Sequence, residues 1–248
     1  MSAEYDAVAD QYDATFQALP YRIYVEEWSV LQVLGDVTGR SVLELATGTG
    51  HYARRLRKLG AAKVVAVDLS PEMIAMARAA EEQAPLGNIE YHVGDVAALD
   101  LGETFDVVLA VYLLHYAPNQ AALDAMAGAI ARHLKPGGRF VTYQLNPDIS
   151  RDEEYYVNYG LRNWLPERLS DGQQFSFSAR VGDTWWPPLT VYWWSQDSLT
   201  AALERAGLAN IRWHRPSANP TPSEAHGPEH WQAYIDVPHC MLIEAIKA

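Results

Sequence analysis

A doubly wound α/β fold is predicted from three features of the chain. Apolar runs of strand length alternate with segments of helical spacing, a glycine-bearing turn follows the first such run, and the next run ends on an acid. The stretch from Ser41 shows all of this. Ser41-Val42-Leu43-Glu44-Leu45 has the length and aliphatic make-up of a buried strand. Ala46-Thr47-Gly48-Thr49-Gly50 is the turn. Tyr52, Leu56 and Leu59 then recur at helical spacing up to Gly60, and Val64-Val65-Ala66-Val67 delivers Asp68. Strand, glycine turn, helix, strand and acid make a nucleotide-binding half. The glycines let backbone N–H groups approach a ligand, and the acid can accept both hydroxyls of a ribose.

Gly48-Thr49-Gly50-His51-Tyr52-Ala53 also satisfies the dinucleotide pattern G-x-G-x-x-A, so a nicotinamide-dependent oxidoreductase is open at this point. The wider wording points elsewhere. VLELATGTG followed by VVAVDLSPEMI resembles the first two motifs of the class I S-adenosylmethionine (SAM) methyltransferases. The resemblance implies a Rossmann-like, seven-stranded sheet whose last strand is antiparallel, inserted between the fifth and sixth. It implies SAM as cofactor and S-adenosylhomocysteine (SAH) as product. Glu44, Ala46, Thr47 and Gly48 then belong at the methionine end, Asp68 at the ribose, and Asp95 with the N–H of Val96 at the adenine. Gly50, Leu69, Met73 and Ala110 complete the expected cofactor set. The family's first glycine is Ala46 here, whose methyl narrows the turn. A SAM-binding enzyme that does not methylate, such as a cyclase, is a further reading.

With 248 residues, 49% of them hydrophobic, the chain can bury one sizeable core, and one domain is the simplest division. Its expected parts are a helical N-terminal cap (1–40), a SAM-binding core (41–146), a substrate-cap insertion (147–194) and completion of the sheet (195–248). The net charge of -12 argues against long polyanions as partners. The single cysteine, Cys240, fits a reducing compartment. MSAEYDAVADQYD lacks the apolar core of a signal peptide, and no run approaches the roughly 20 apolar residues of a membrane span. A soluble, cytoplasmic protein acting on a small molecule is expected, with no nucleic acid, membrane or metal partner.

In chain order, residues 3–35 read as two helices broken at Leu19-Pro20, with Tyr5, Val8, Tyr12 and Phe16 on one face. Asp6 to Asp13 resembles the Y-D-x-x-A-x-x-Y-D opening of small-molecule methyltransferases, in which the tyrosine matching Tyr12 helps roof the SAM pocket. Plain packing of the helix is the alternative for both tyrosines. Ser70 caps a helix with Pro71 at its first position, running to about Glu82. Ile89 to Val93 is the third strand, ending at Asp95, which either binds adenine or caps the next turn. Phe105 to Val111 is the fourth strand. Leu123 to Leu134 is a helix that stops at Lys135-Pro136-Gly137-Gly138, before the fifth strand, Arg139 to Gln144. Asn146 to Trp194 is too long for a plain connection. Within it Gln174 to Ser178 and Leu189 to Trp194 read as a β-hairpin over the active site. Ser195 caps a helix to Ala206-Gly207, Asn210 to His214 is the sixth strand, Pro216 to Pro228 a loop, and Cys240 to Ile246 the closing strand.

Methyl transfer asks the protein chiefly to hold donor and acceptor in line. His115, after the fourth strand, is the candidate base or substrate-orienting residue, with Tyr116 as an alternative and Tyr112 as a substrate contact. Seven of the eight tryptophans lie beyond residue 150, which places an aromatic wall in the insertion. Trp185, Trp186, Trp193, Trp194, His230 and Trp231 are the expected substrate contacts. Because neighbours on a strand point to opposite sides, at least one of Trp193 and Trp194 faces away from the hairpin's packed side. Such walls favour a flat aromatic or heteroaromatic acceptor. His226 and His230 are four apart, but Gly227-Pro228 between them argues against the helix a metal pair needs, so this segment is expected to be a lid or an acceptor contact. Scattered matches, including Gly35-Asp36-Val37, Pro147-Asp148, Tyr159-Gly160, Trp194-Ser195 and Trp231, make the chain similar to toxoflavin-type azapteridine N-methyltransferases of secondary metabolism. That similarity implies a planar nitrogen heterocycle as acceptor.

Overall fold

The structure, a computed structural model, describes residues 14–221 and 227–248. Tyr5, Tyr12 and His226 lie outside the described residues. The strands are β1 (Ser41–Leu45), β2 (Lys63–Asp68), β3 (Ile89–Val93), β4 (Phe105–Val111), β5 (Leu134–Leu145), β6 (Leu161–Trp164), β7 (Gln173–Val181), β8 (Thr184–Trp185), β9 (Leu189–Trp193), β10 (Leu208–His214) and β11 (Cys240–Lys247). The helices are α1 (Ala14–Ala18), α2 (Trp28–Leu34), α3 (His51–Lys58), α4 (Pro71–Gln83), α5 (Gln120–Arg132), α6 (Gln196–Arg205) and α7 (Pro228–Asp236), with a π-helix over Arg22–Glu27.

Seven strands form one sheet in the order β10-β11-β5-β4-β1-β2-β3. β1 to β5 run parallel, and β11 is antiparallel to both β5 and β10. The expected topology is therefore present, including insertion of the last strand between its neighbours. Alternation along each central strand divides the core into two layers. Val42, Val64, Ala66 and Leu109 face the layer that holds α2, α3 and α4. Leu43, Leu45, Val65, Val67 and Val108 face the layer that holds α5 and α6. Burial on both faces explains the near-continuous aliphatic runs.

Four features differ from the sequence reading. Lys135-Pro136-Gly137-Gly138 is not a turn before β5 but a bulge within it: the pairing with β4 jumps from Phe105↔Leu134 to Val107↔Arg139. The insertion is more than a hairpin, because β7 pairs with β6 and β8 as well as β9. The segment after Leu19-Pro20 opens as a π-helix, which no periodicity of period 3.6 signals. Finally, Pro228 opens α7 instead of closing a loop. Proline is tolerated at a first helical position, where its missing N–H would have had no partner.

Gly50 ends the turn before α3 with φ 83°, and a Cβ there would sit 2.8 Å from Tyr91 Oη. Gly182 has φ 60° and open space around it. Gly182→Ala should therefore show the left-handed strain alone, about 1–2 kcal/mol. Gly50→Ala should cost more, since β3 must also give way. Urea unfolding of the two variants checks this, and equal losses would mean that Tyr91 yields freely.

Candidate active site

β1 lies between β2 and β4. Because the helix after β1 packs on one face and the helix after β4 on the other, no connection covers the carboxyl ends at this point, and a crevice opens. It is lined by Ala46 and Gly48 after β1, by Asp68, Leu69, Ser70 and Met73 after β2, and by Asp95 and Val96 after β3. Val111, Tyr112, Leu113 and Tyr116 close it from the β4 side, and Met126 of α5 from below. The empty space, mouth included, is about 760 Å³.

Local hydrogen bonds fix the lining. Asp68 Oδ2 accepts the Gly48 N–H at 2.8 Å and Oδ1 accepts the Ser70 N–H at 2.9 Å, which sets the carboxylate across the glycine turn. Ser70 Oγ accepts the Met73 N–H at 3.1 Å, capping α4 as its sequence suggests. Asp95 Oδ1 accepts the Ala97 N–H at 2.9 Å, so Asp95 caps the next turn and lines the cleft as well. Glu44 is 1% exposed, and its Oε2 accepts the Thr47 hydroxyl at 2.7 Å. Burial pushes the Glu44 carboxyl up to about 8, against the pull of Thr47 and with a further push from the charge of Asp68. Ala46 has φ 57°, the left-handed region natural to the glycine it replaces.

Behind Tyr112 and Tyr116 lies a second cavity, whose empty space, mouth included, is about 530 Å³. Phe177, Ala179, Trp186, Leu189 and Val191 of the insertion form one side, and Thr15, Leu19, Tyr21 and Arg22 of the N-terminal segment the other. His115 and Leu145 form its floor toward the sheet. His115 is 2% exposed, with Nδ1 3.3 Å from Gln144 Oε1, a pairing in which Nδ1 donates and Nε2 keeps its lone pair. Burial drives its pKa down to about 3, with Gln144 opposing. His239, also buried, is driven to about 3 by the same cause, with lesser contributions from His115 and Arg22.

Of the residues singled out from sequence, Ala46, Gly48, Asp68, Leu69, Met73, Asp95 and Val96 line the cleft, Trp186 and His115 line the second cavity, and Tyr112 and Tyr116 line both. Glu44, Thr47 and Gly50 are buried in and beneath the turn. Ala110, expected among the cofactor contacts, does not line the cleft. It is wholly buried in the α5-side core, and Val111, one residue on, lines the cleft instead. Five of the expected substrate contacts line neither cavity. Trp185 lies between the guanidinium groups of Arg162 and Arg180, 4.9 and 5.6 Å from its ring. Trp193 and Trp194 do diverge, but both pack inward: Trp193 Nε1 donates to Pro147 O at 2.9 Å and Trp194 Nε1 to Ala117 O at 3.0 Å. Trp231 stacks between Tyr24 and Tyr159, and His230 sits edge-on to Tyr159 on α7. Sequence reasoning missed Thr15, Arg22 and Phe177, whose spacing says nothing of the cavity they meet at, and Glu26, whose carboxylate accepts the Tyr112 hydroxyl. Among the described residues no helix is long and apolar enough to cross a membrane, and no cluster of three His, Cys, Asp or Glu could hold a metal.

The buried histidines carry a pH signature. An unfolded histidine titrates near 6.5, whereas these do so near 3, so between those values the unfolded chain holds protons that the folded chain refuses. Their contribution is intact above pH 6.5 and is lost as pH falls toward 3. Glu44 acts oppositely: its contribution is present below 4.5 and is lost as pH rises through about 8. Denaturant midpoints should therefore fall on acidification from pH 6.5, and His115→Gln should flatten that slope. An unchanged slope would contradict a neutral, buried His115.

Comparison with known proteins agrees with this geometry. The family described as "Methyltransferase domain" matches residues 42–138. The chain is 33% identical over 215 residues to the demethylmenaquinone methyltransferase of Chlorobaculum parvum, covering 82% of each. It is 29% identical over 155 residues to the ubiquinone biosynthesis O-methyltransferase of Paramagnetospirillum magneticum, covering 58% of each. Among solved structures, the CcbJ methyltransferase of Streptomyces caelestis superposes with a TM-score of 0.69 at 22% identity, covering 100% of this chain and 97% of that one. The DhpI–SAM–HEP complex does so with a TM-score of 0.62 at 22% identity, covering 98% and 94%. With a relative of this identity matched over most of its length, and with the crevice at the β1/β4 switch point, the chain belongs to the class I SAM-dependent methyltransferases.

Proposed function

We propose that this methyltransferase acts on a small, planar aromatic or heteroaromatic acceptor of secondary metabolism, on N, O or C, held in the chamber behind Tyr112 and Tyr116. The observation that carries the reading is the chamber's wall: Tyr21, Tyr112, Tyr116, Phe177 and Trp186 enclose it with aliphatic side chains between them. Flat rings are what such walls bind. The names of the relatives, which mention demethylmenaquinone and ubiquinone biosynthesis, add quinone-class rings to the candidates. A net charge of -12 disfavours a nucleic-acid acceptor.

The cleft's own residues fit SAM. Asp68 and Asp95 offer carboxylate oxygens to hydroxyl and amine donors, Leu69, Met73 and Val96 offer apolar surface to a flat base, and the positive-φ turn at Gly48 allows close backbone approach. When bound, SAM supplies a methyl group on a sulfonium, an electrophile that needs no protein nucleophile. The protein's work is then to place the acceptor and exclude water. His115, neutral at physiological pH, is suited to accept a hydrogen bond at Nε2 and orient a ring. It is poorly suited to act as a general base, because its conjugate acid near 3 is too strong.

Transfer of isotopic methyl from SAM to a panel of N-heterocycles, phenols, indoles and quinols, with RNA and protein as controls, tests the acceptor class. Label on one ring compound is expected, and label only on a macromolecule would contradict the proposal. With that acceptor, His115→Gln should lower kcat/KM while the wild-type pH profile shows no histidine inflection between pH 5 and 8. An inflection lost in the variant would restore the base role. Asp68→Ala should weaken SAH binding about thirtyfold, as loss of two buried hydrogen bonds of about 1 kcal/mol each would do. Unchanged affinity by calorimetry would refute the ribose assignment.

A further inference from the structure

Tyr112 stands where the two cavities meet, shared by both linings with Tyr116. Its backbone is also unusual. It follows β4 with φ 64°, a region a bulky residue keeps only when its surroundings hold it there. Its N–H donates to Tyr143 O at 2.9 Å. Its hydroxyl donates to Glu26 Oε2 at 2.6 Å and lies 3.3 Å from Nε2 of His239.

Glu26 is wholly buried on the π-helix, and its Oε1 accepts from Arg22 Nη2 at 3.1 Å and from the Tyr52 hydroxyl at 3.1 Å. Tyr52 belongs to α3, directly after the glycine turn. The carboxylate thus ties the N-terminal segment and the cofactor turn to the residue at the junction. Packing alone does not require this. A phenylalanine would fill the space of Tyr112 equally well but would leave Glu26 Oε2 without this donor, and an apolar residue in place of Glu26 would avoid the buried ion pair, which is seldom the more stable choice.

We propose that Tyr112 faces the transferable methyl group and that Glu26 is a positioning residue acting through it. The inference rests on reading the cleft as the SAM site and the chamber as the acceptor site: a methyl passing between them passes their shared wall. An aromatic ring there attracts a sulfonium more than the neutral thioether left after transfer. Tyr112 therefore favours SAM over SAH, which helps product to leave.

Calorimetric titration of SAM and SAH into the wild type, Tyr112→Ala, Glu26→Gln and the double variant tests this without any acceptor. Tyr112→Ala should raise the ratio of the SAM Kd to the SAH Kd by about tenfold. Glu26→Gln should raise it by a smaller factor, and the double variant no further than Tyr112→Ala, since Glu26 acts through that ring. A merely structural role would weaken both ligands together and leave the ratio unmoved. That result, or additive shifts in the double variant, would overturn the proposal. If Glu26→Gln does not fold, Tyr112→Phe decides in its place: keeping the ring but losing the tether, it should give an intermediate ratio, and a wild-type ratio would overturn the role of Glu26. A wild type that binds neither ligand would show the cleft itself to be misread, and the proposal would fall with it.

Discussion

The constraint on which the molecule depends is the placement of β1 between β2 and β4. The two neighbours are reached by crossovers on opposite faces, so their connections diverge and leave the carboxyl ends uncovered. Every polar group of the cleft is a consequence. Asp68 and Asp95 stand at the ends of β2 and β3, and the turn after β1 brings Gly48 within 2.8 Å of Asp68 Oδ2. The buried aliphatic faces of the strands matter to function because they fix where these ends lie.

The second cavity has a different origin. The sheet gives it only a floor; its walls come from elements laid across the carboxyl end, the N-terminal segment on one side and β7 and β9 on the other. Burial at the cavity keeps His115 neutral and the Tyr112 hydroxyl protonated, and burial beside Tyr112 keeps His239 neutral. The charged groups at this level, Arg22 and Glu26, satisfy one another, and Arg22 also donates to Thr15 Oγ1 at 2.6 Å. Such a chamber suits a neutral ring with a few hydrogen-bonding positions better than a multiply charged acceptor.

What could be read from the sequence is what is local. The strand runs, the glycine turn, the Ser70-Pro71 cap and the acids at strand ends each depend on neighbours a few residues away. The π-helix, β6, β8 and α7 do not announce themselves by period. The tryptophans show the limit most clearly. Alternation correctly separates Trp193 from Trp194, but their partners are Pro147, 46 residues away, and Ala117, 77 residues away, and these contacts bury Trp194 in the core and hold Trp193 half-buried against it. Likewise the Glu26–Tyr112 bond spans 86 residues, so no spacing in the sequence could reveal it. Ala110 misses the cleft for a simpler reason. One residue of strand register separates the α5-side core from the cleft.

The proposed mechanism depends on one spatial relation: the cleft and the second cavity, proposed to hold cofactor and acceptor, meet at Tyr112 and Tyr116. A crystal structure of the protein with SAH tests it most directly. The account predicts the ribose at Asp68, the adenine beside Asp95 and Val96, and the sulfur directed toward the two tyrosines with open space beyond. SAH bound with its sulfur turned away from that wall, or outside the β1/β4 crevice, would contradict it.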